Sequence, residues 1–277
     1  MEGTSGFAHY NLINIGLGGM RRSALCATSA SMLETIGVDR SSHNIAKDSR
    51  RCGTLFEGGR AGWQHRTRIG ARMDRLLAGH KRFLAEVFPG KRAQFKLLSD
   101  RQAPEWLFIT CSDSRIVPDL ILGTEPGDLF ITRNAGNVVP MTSNDVDGIT
   151  ATIEYAIEVL HVKSAILCGH SDCGALKAAL DRKGLEKLPK AQRWLSHVEG
   201  AWSHRQPLNP ADGEHAELAS LIRGNVVAQL WNLKAQPAVA RAVQEGRLTV
   251  HGWYYDILSG KIEQFDEQMR RFLPLAE

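Results

Sequence analysis

The apolar positions of this chain form short runs that alternate with helix-like patterns from about residue 100 onward. Runs of four to six mostly apolar residues have the length of buried strands, and apolar residues at intervals of three and four predict helices. Strands joined by helices pair in parallel, so this order predicts an α/β fold with a mostly parallel central β-sheet flanked by helices. The predicted strands are Trp106–Thr110, Leu129–Thr132, Ser164–Gly169 and Leu248–Trp253, and the predicted helices are Val146–Leu160, Cys173–Asp181 and Glu214–Leu233.

The two ends of this region follow different patterns. The segment Tyr254–Phe265 turns at Ser259-Gly260 and predicts a hairpin, which gives the sheet a C-terminal antiparallel edge strand. At the other end a helical pattern begins at Asp74, Pro89-Gly90 is expected to end it, and a second helix is predicted over Arg92–Leu98. We therefore expect an N-terminal helical arm whose apolar positions are Leu76, Leu77, Phe83, Leu84 and Val87.

Residues 1–72 lack sustained periodicity and are rich in Gly, Ser and Arg. They hold ten Lys/Arg and five Asp/Glu, a balance of +5, whereas residues 73–277 hold 24 and 25, a balance of −1. The net charge of +4 thus arises in the N-terminal part, and it gives no support for nucleic-acid binding by the rest. We predict a poorly ordered basic extension, 1–72, that is dispensable for the function of the rest or directs the protein to a partner or compartment. The folded, functional domain is expected at 73–277.

Two short polar motifs directly follow two of the predicted strands. Cys111–Arg115 reads Cys-Ser-Asp-Ser-Arg, and His170–Gly174 reads His-Ser-Asp-Cys-Gly. The carboxyl ends of parallel strands meet at one edge of a sheet, where open α/β folds bind ligands. Cys111, His170 and Cys173 offer two thiolates and an imidazole, which suits zinc. No fourth Cys or His stands beside either motif, and a zinc ion with one exchangeable position is typical of catalytic sites.

The remaining cysteines give no sign of a disulfide framework. The chain has five cysteines, an odd and sparse set for its length. Cys168 lies in an apolar strand and is expected to be a small buried hydrophobe, and Cys26 and Cys52 lie in the N-terminal part. Two cysteines that bind a metal as thiolates favour a reducing compartment, so the expected location is cytoplasmic. No apolar stretch approaches the ~20 residues that span a bilayer.

Asp113 stands two residues before Arg115, and three roles are open for this pair. A carboxylate is an acceptor only, and a bidentate guanidinium would keep it ionised. Asp113 could bind zinc as a fourth, inactivating ligand, or it could accept a hydrogen bond from a hydroxide and orient its lone pair toward a substrate. The third reading is a plain salt bridge at the end of a strand.

These motifs resemble those of one enzyme family. Residues from about 73 to 277 are similar to β-class carbonic anhydrases, and most similar to the bacterial branch that includes the cyanate-operon enzyme. Several separated stretches in the same order carry the resemblance. They are Leu107–Arg115, Pro126–Phe130, Arg133–Asn137, Ile153–Ala156, Cys168–Gly174 and His251–Asp256.

The resemblance implies zinc-dependent, reversible hydration of carbon dioxide to bicarbonate and a proton, by attack of zinc-bound hydroxide, with one zinc per subunit. It assigns the metal to Cys111, His170 and Cys173, with Asp113 as fourth ligand in a closed state, and catalytic roles to Asp113 and Arg115. It assigns substrate binding to Gln102, Phe130, Ala135, Tyr155 and Gly174. For Phe130 and Ala135, ordinary core packing is the alternative.

The resemblance also implies an assembly. The N-terminal helices of this family pack on a neighbouring subunit, so we expect a homodimer or a higher even-numbered homo-oligomer, with no nucleic acid or membrane as partner. Two positions depart from the family pattern: Ala175 replaces a second glycine, and Phe108 stands where a bicarbonate-inhibited branch carries Trp. Two other functions remain open, a non-catalytic zinc or scaffold protein and a hydrolase of a related molecule such as carbon disulfide.

Overall fold

The computed structural model describes residues 72–141, 147–182 and 184–275, and Asp74–Glu277 forms one compact unit. The prediction for residues 1–72 falls almost entirely outside the described residues and stays a prediction. In the described part no helix is both long and apolar enough to cross a membrane. The strands are β1 Trp106–Cys111, β2 Leu129–Asn134, β3 Ser164–His170, β4 Thr249–Tyr255, β5 Ile262–Asp266 and β6 Arg271–Pro274.

The described part contains the α-helical residues 72–82 at the start of the arm, eight further α-helices and several shorter helical segments. The α-helices are α1 Phe88–Leu98, α2 Pro118–Leu122, α3 Gly148–Glu158, α4 Gly174–Asp181, α5 Pro189–Trp194, α6 Gly200–Ser203, α7 Ala216–Ala235 and α8 Pro237–Gln244. Short 3₁₀ segments lie at Leu185–Lys187, Leu195–Val198 and Pro210–His215. The three long predicted helices correspond to α3, α4 and α7, with ends that differ by at most two residues.

The six strands form one sheet in the order β2-β1-β3-β4-β5-β6. Strand β1 pairs in parallel with β2 and β3, and β3 pairs in parallel with β4, whereas β5 and β6 add antiparallel pairs at one edge. The predicted fold class is therefore confirmed, including the antiparallel edge. Strand β6 was not predicted, because its four residues carry too short a pattern to recognise.

The two faces of the sheet are covered differently. Leu107 and Ile109 of β1 face a large core shared with α3, α7 and α8, whereas Phe108 faces a smaller cluster with Ile166 and Cys168. Helix α7 lies so close to β3 that a Cβ on Gly169 would stand 2.6 Å from a methyl carbon of Val226. Since α7 is buried on nearly all sides, it can fix the chain segments that surround it.

The arm corrects one expectation. Pro89-Gly90 does not end the helix: a π-helical segment, Phe83–Val87, passes directly into α1, and the amide of Phe88 donates to the carbonyl oxygen of Phe83. The proline occupies the first turn of α1, where a helix needs no amide donor, so it is tolerated. The second helix therefore starts at Phe88 rather than at Arg92.

Candidate metal centre and active site

Three buried side chains meet at the carboxyl ends of two neighbouring strands. Cys111 ends β1, His170 ends β3, and Cys173 precedes α4. Their candidate ligand atoms all lie within 4.8 Å of one another, and the two sulfur atoms are 3.9 Å apart. Because β1 and β3 pair in parallel, the sheet itself delivers the first Cys and the His to one place.

The imidazole of His170 is oriented for a ligand. Its Nδ1 lies 2.9 Å from the carbonyl oxygen of Ser171, which makes Nδ1 the protonated nitrogen and leaves a lone pair on Nε2. That Nε2 is fully buried and has no hydrogen-bond partner among the described residues. An orphaned acceptor beside two thiols fits a soft, tetrahedrally coordinated metal ion such as zinc.

The two thiols share a strongly asymmetric environment. The pKa of Cys111 is lowered to about 4, mainly by the hydrogen bond from Cys173. Burial opposes this shift, whereas the amide of Gly136, 3.5 Å from the Cys111 sulfur, contributes to it. The bond to Cys111, burial and the charge of Cys111 raise the pKa of Cys173. One proton is thus held between two sulfurs, and a cation would displace it and keep both as thiolates.

Asp113 lies beside the ligand cluster and is held by Arg115. The Arg115 Nε is 3.0 Å from Asp113 Oδ1, and one terminal nitrogen is 2.8 Å from Oδ2. Those hydrogen bonds, with the backbone amide of Arg115, keep the pKa of Asp113 far below its usual range. Asp113 Oδ2 is 3.9 Å from His170 Nε2, so an ionised acceptor borders the position where a metal would bind.

Arg115 has a second acidic partner, Asp172. One guanidinium nitrogen lies 3.0 Å from the Asp172 carboxylate and another lies 2.9 Å from its carbonyl oxygen. Asp172 adopts a left-handed backbone conformation, with φ of 53°, which turns both groups toward the arginine. The pair predicted from the sequence is therefore part of a triad, Asp113–Arg115–Asp172. Asp172 stood in the second motif, but spacing alone does not show that the two motifs join.

Arg133 was also missed as part of this site. Its Nε is 3.0 Å from the carbonyl oxygen of Cys111, and a terminal nitrogen is 2.6 Å from the carbonyl oxygen of Asp113. Arg133 of β2 thereby fixes the backbone of the motif Cys111–Arg115. The available signal was its place in Arg133–Asn137, directly after an apolar run.

The predicted substrate-binding residues fall into two groups. Gly174 follows Cys173, and the exposed Ala135 adjoins Gly136, so both lie at the metal-ligand edge; the Ala135 carbonyl oxygen accepts a bond of 2.9 Å from the indole of Trp194. Phe130 and Tyr155 instead pair with each other, with ring centroids 6.0 Å apart.

Phe130 and Tyr155 do not lie at the ligand cluster of the same chain. In the β1–β2 register Phe130 stands opposite Leu107, four positions before Cys111, a separation of roughly 13 Å along the strand. Tyr155 is 44% exposed, and Gln102 lies in the exposed segment before β1. Within one chain the structure therefore brings together the three candidate metal ligands, the Asp113–Arg115–Asp172 triad, Ala135 and Gly174, but not Gln102, Phe130 or Tyr155.

Four amide side chains form a further feature that sequence reasoning missed. They occupy one stripe of α7, and we call them the amide ladder: Asn225, Gln229, Asn232 and Gln236, the last just beyond the helix end. They bond to the buried segment 136–140, which has no regular secondary structure. The spacing of i, i+4, i+7 and i+11 was visible, but polar residues on a helix are ordinarily read as its solvent face.

A cavity of about 650 Å³ opens on the far side of Arg115. Its walls include Asp172 near the metal centre and Arg223 and Tyr254 further away. The guanidinium of Arg223 stacks over the Tyr254 ring, 3.9 Å from its centroid, and binds the carboxylates of Asp212 and Glu263. Since these charges already satisfy one another, we regard this cluster as a structural link between α7 and β5.

Comparison with known proteins agrees with this geometry. The family described as Carbonic anhydrase matches residues 106–262. A carbonic anhydrase of Pseudomonas aeruginosa is 48% identical over 202 residues, covering 73% of this chain and 91% of that protein. Carbonic anhydrase 1 of Escherichia coli O157:H7 is 43% identical over 204 residues, covering 74% and 93%.

Solved structures show the same likeness. The β-carbonic anhydrase CcaA is 37% identical, with a TM-score of 0.68, and the match covers 75% of this chain and 93% of that chain. A tetrameric β-carbonic anhydrase of Sordaria macrospora has a TM-score of 0.54 at 31% identity, covering 76% and 100%. With the parallel sheet and the Cys-His-Cys cluster at its edge, these matches show that the chain belongs to the β-class carbonic anhydrase family and is an enzyme of that kind.

Proposed function

We propose that this protein catalyses the reversible hydration of carbon dioxide at a zinc ion held by Cys111, His170 and Cys173. The observation that carries the proposal is the unpartnered Nε2 of His170, buried between two thiols and 3.9 Å from an ionised carboxylate. A purely structural zinc site does not require an ionised carboxylate such as Asp113, held by Arg115, next to the metal position. A catalytic site needs such an acceptor next to the reacting water.

Zinc, when bound, supplies Lewis acidity that lowers the pKa of water from about 15.7 to about 7. The side chains supply orientation. Asp113 can only accept hydrogen bonds while it is ionised, so it fixes the direction of the attacking hydroxide's O–H and points a lone pair at the carbon of carbon dioxide. Arg115 keeps that carboxylate charged and in one orientation through two parallel N–H···O bonds.

We also propose that Asp113 switches the site between an open and a closed state. Its carboxylate is bonded to Arg115, an arrangement that leaves it free of the metal and the site open to substrate. It stands close enough to the ligands that release from Arg115 would let it become the fourth ligand. Lower pH favours that exchange, because a proton neutralises the hydroxide that competes for the same position.

We propose that two subunits complete the substrate pocket. Ala135 and Gly174 come from the chain that holds the metal, whereas Gln102, Phe130 and Tyr155, exposed or half-buried away from that cluster, serve the pocket of a neighbour. The arm carries exposed apolar side chains, among them Leu76 at 64%, that need a covering surface. These features support a homodimer or a higher even-numbered homo-oligomer with one zinc per subunit.

Two finer assignments are also proposals. The motif resemblance of Leu107–Arg115 and Cys168–Gly174 is the basis for proposing a place in the bacterial branch that includes the cyanate-operon enzyme. Two cysteines that serve as thiolate ligands, Cys111 and Cys173, favour a reducing compartment such as the cytoplasm.

A cysteine comparison tests the proposal. Cys173→Ala removes a ligand and should abolish both zinc binding and carbon dioxide hydration. Cys168→Ala is the matched control, because Cys168 is equally buried and lies on the other face of the sheet, where burial raises the pKa of its thiol to about 12. Zinc content by elemental analysis and stopped-flow hydration are measured on both.

Three results would contradict the proposal. Full zinc occupancy in Cys173→Ala would remove the ligand assignment. Zinc-loaded wild-type protein without hydration activity would favour a scaffold role, and turnover of carbon disulfide in place of carbon dioxide would favour the hydrolase.

A further inference from the structure

The segment 136–140 is buried but irregular, so its backbone polar groups need partners that no strand or helix of its own provides. Asn134 supplies two of them, bonding both the amide and the carbonyl oxygen of Val138. The amide ladder of α7 supplies four more. Gln229 accepts from the Val139 amide, Asn232 donates to the Val139 carbonyl oxygen, and Gln236 donates to that of Pro140, over 2.8 to 3.0 Å.

The first member of the ladder reaches the residue that touches a metal ligand. Asn225 is fully buried, and its Nδ2 donates over 2.9 Å to the carbonyl oxygen of Gly136. The backbone amide of the same Gly136 donates to the sulfur of Cys111 over 3.5 Å. Asn225 therefore acts on Cys111 through a single residue.

Gly136 can occupy this position only because it lacks a side chain. Its φ is +83°, a conformation that other residues rarely adopt, and a Cβ would stand 3.3 Å from Leu176 and 3.4 Å from Ala175. A glycine has no side chain of its own to anchor it, so an external bond must define its orientation. Asn225 provides that bond, and Gln229 orients Asn225 by donating to its Oδ1 over 3.1 Å.

We propose that Asn225 is a positioning residue for the metal centre: it fixes Gly136 so that the Gly136 amide donates to the Cys111 thiolate. An N–H···S bond withdraws charge from the sulfur and restricts its direction. It thereby sets how strongly Cys111 donates to the metal and how well the site retains it. This inference rests on the proposed role of Cys111 as a metal ligand.

The test compares two substitutions of the same kind. Asn225→Leu and Asn232→Leu each replace an asparagine by an apolar residue of similar size, on the same helix, and each removes a donor to one loop carbonyl. Of these two asparagines, Asn225 bonds Gly136, whereas Asn232 bonds Val139. Asn232→Leu thus reports the general cost of weakening the loop.

Cobalt(II) is the probe, because its sulfur-to-metal charge-transfer absorption responds to the charge on the thiolate. In Asn225→Leu we expect this band to move to lower energy, and competition with a chelator should show roughly a tenfold or greater loss of cobalt affinity. Asn232→Leu should keep the wild-type band and affinity, even where both variants lose similar thermal stability.

Two outcomes overturn the inference. One is a wild-type spectrum and affinity in Asn225→Leu, and the other is an equal band shift in both variants. Failure of the wild-type protein to bind cobalt would refute the metal site itself, so the two failures are distinguishable.

If Asn225→Leu does not fold, NMR spectroscopy of the wild-type protein loaded with ¹¹³Cd tests the proposal instead. A scalar coupling between cadmium and the Gly136 amide proton is expected, since it is transmitted through the N–H···S bond. An assigned Gly136 amide without that coupling overturns the proposal.

Discussion

The metal-centre edge of the sheet and the N-terminal arm satisfy their side chains in opposite ways. At the edge, Cys111, His170 and Cys173 are almost completely buried. Arg133 of β2 donates to the Cys111 carbonyl oxygen, the Lys177 amide of α4 donates to that of Cys173, and Asn225 of α7 bonds the adjacent Gly136. In the arm, Leu76, Leu84 and similar residues remain exposed, although three phenylalanines pack on one another.

The contrast distinguishes contacts that one chain forms within itself from apolar surface that it leaves exposed. The arm is tied to its own chain mainly near residues 125–127, where Lys91 pairs with Glu125 and Gln94 donates to the Pro126 carbonyl oxygen over 3.1 Å. The metal centre is complete in its contacts, but Phe130 and Tyr155 are not part of it. The proposed assembly of two subunits would account both for the exposed apolar residues of the arm and for the distance of Phe130 and Tyr155 from the centre.

The largest effect is expected at the metal-centre edge. Asp113→Asn keeps the shape of the side chain but loses the charge that accepts from hydroxide, so kcat should fall by about 100-fold. Zinc content should stay at the wild-type value, because the three ligands are untouched. Stopped-flow hydration with zinc analysis measures both.

Asp119→Asn is the control for this change. Asp119 is an exposed carboxylate six residues along the chain, bonded to Thr124, and its variant should keep full activity. If Asp113→Asn kept wild-type kcat, Asp113 would be a plain salt-bridge partner.

The arm provides the second prediction. Leu76→Glu combined with Leu84→Glu places two charges on its exposed apolar residues, and light scattering should show a smaller particle. If neighbours complete the pocket, hydration should fall by roughly tenfold, since misplaced substrate contacts are costly. Zinc should remain bound, because the cluster lies within one chain.

Leu188→Glu combined with Leu208→Glu introduces the same charges at exposed leucines outside the arm and should change neither mass nor rate. A fully active arm variant that is monomeric would break the link between the arm and the pocket.

A smaller effect is expected from the second partner of Arg115. Asp172→Asn weakens one charged bond but leaves both bonds between Arg115 and Asp113, so kcat should fall by roughly threefold, as befits an exposed ion pair. Lys177→Met removes the other neighbour of Asp172, at 3.8 Å, and should leave kcat unchanged. Equal rates in both variants and the wild type would show that the Asp172 carboxylate does not help to hold Arg115, which would then rest on Asp113 and the Asp172 carbonyl oxygen.

The same comparison explains which features the sequence could predict. Apolar runs and strand-end motifs identified the sheet, the three buried ligand candidates and the Asp113–Arg115 pair, because these depend on local pattern. The helix through Pro89 was not predicted because the proline falls in the first turn of α1, directly after a π-helical segment, where its missing amide is tolerated. The amide ladder escaped because polar side chains on a buried helix bond to a loop about 90 residues away in the chain.

The pH dependence of stability follows from Asp113. Its folded pKa lies below the unfolded value of about 3.9, so the ionised form stabilises the fold above that value, and the contribution is lost as pH falls through the folded pKa. In metal-free protein, the melting-temperature difference between wild type and Asp113→Asn should be constant from pH 6 to 9 and shrink below about pH 4. A difference that grew in acid would contradict this sign.

The smallest effect is expected from removing residues 1–72. Every residue assigned to the centre and the arm lies beyond them, and their composition, with a charge balance of +5 and no sustained periodicity, predicts an extension that catalysis does not need. A chain that begins at Met73 should therefore bind one zinc, keep its oligomeric mass and hydrate carbon dioxide at the full-length rate. If the basic extension directs the protein to a partner or compartment, only its location in cells should change.

Two results would show that these residues belong to the working enzyme. One is a loss of activity greater than about tenfold, which is large against the usual effect of peripheral substitutions. The other is loss of the oligomer. In that case residues 1–72 would also contribute to the assembly, and the part of the chain that needs a second subunit would begin before the arm.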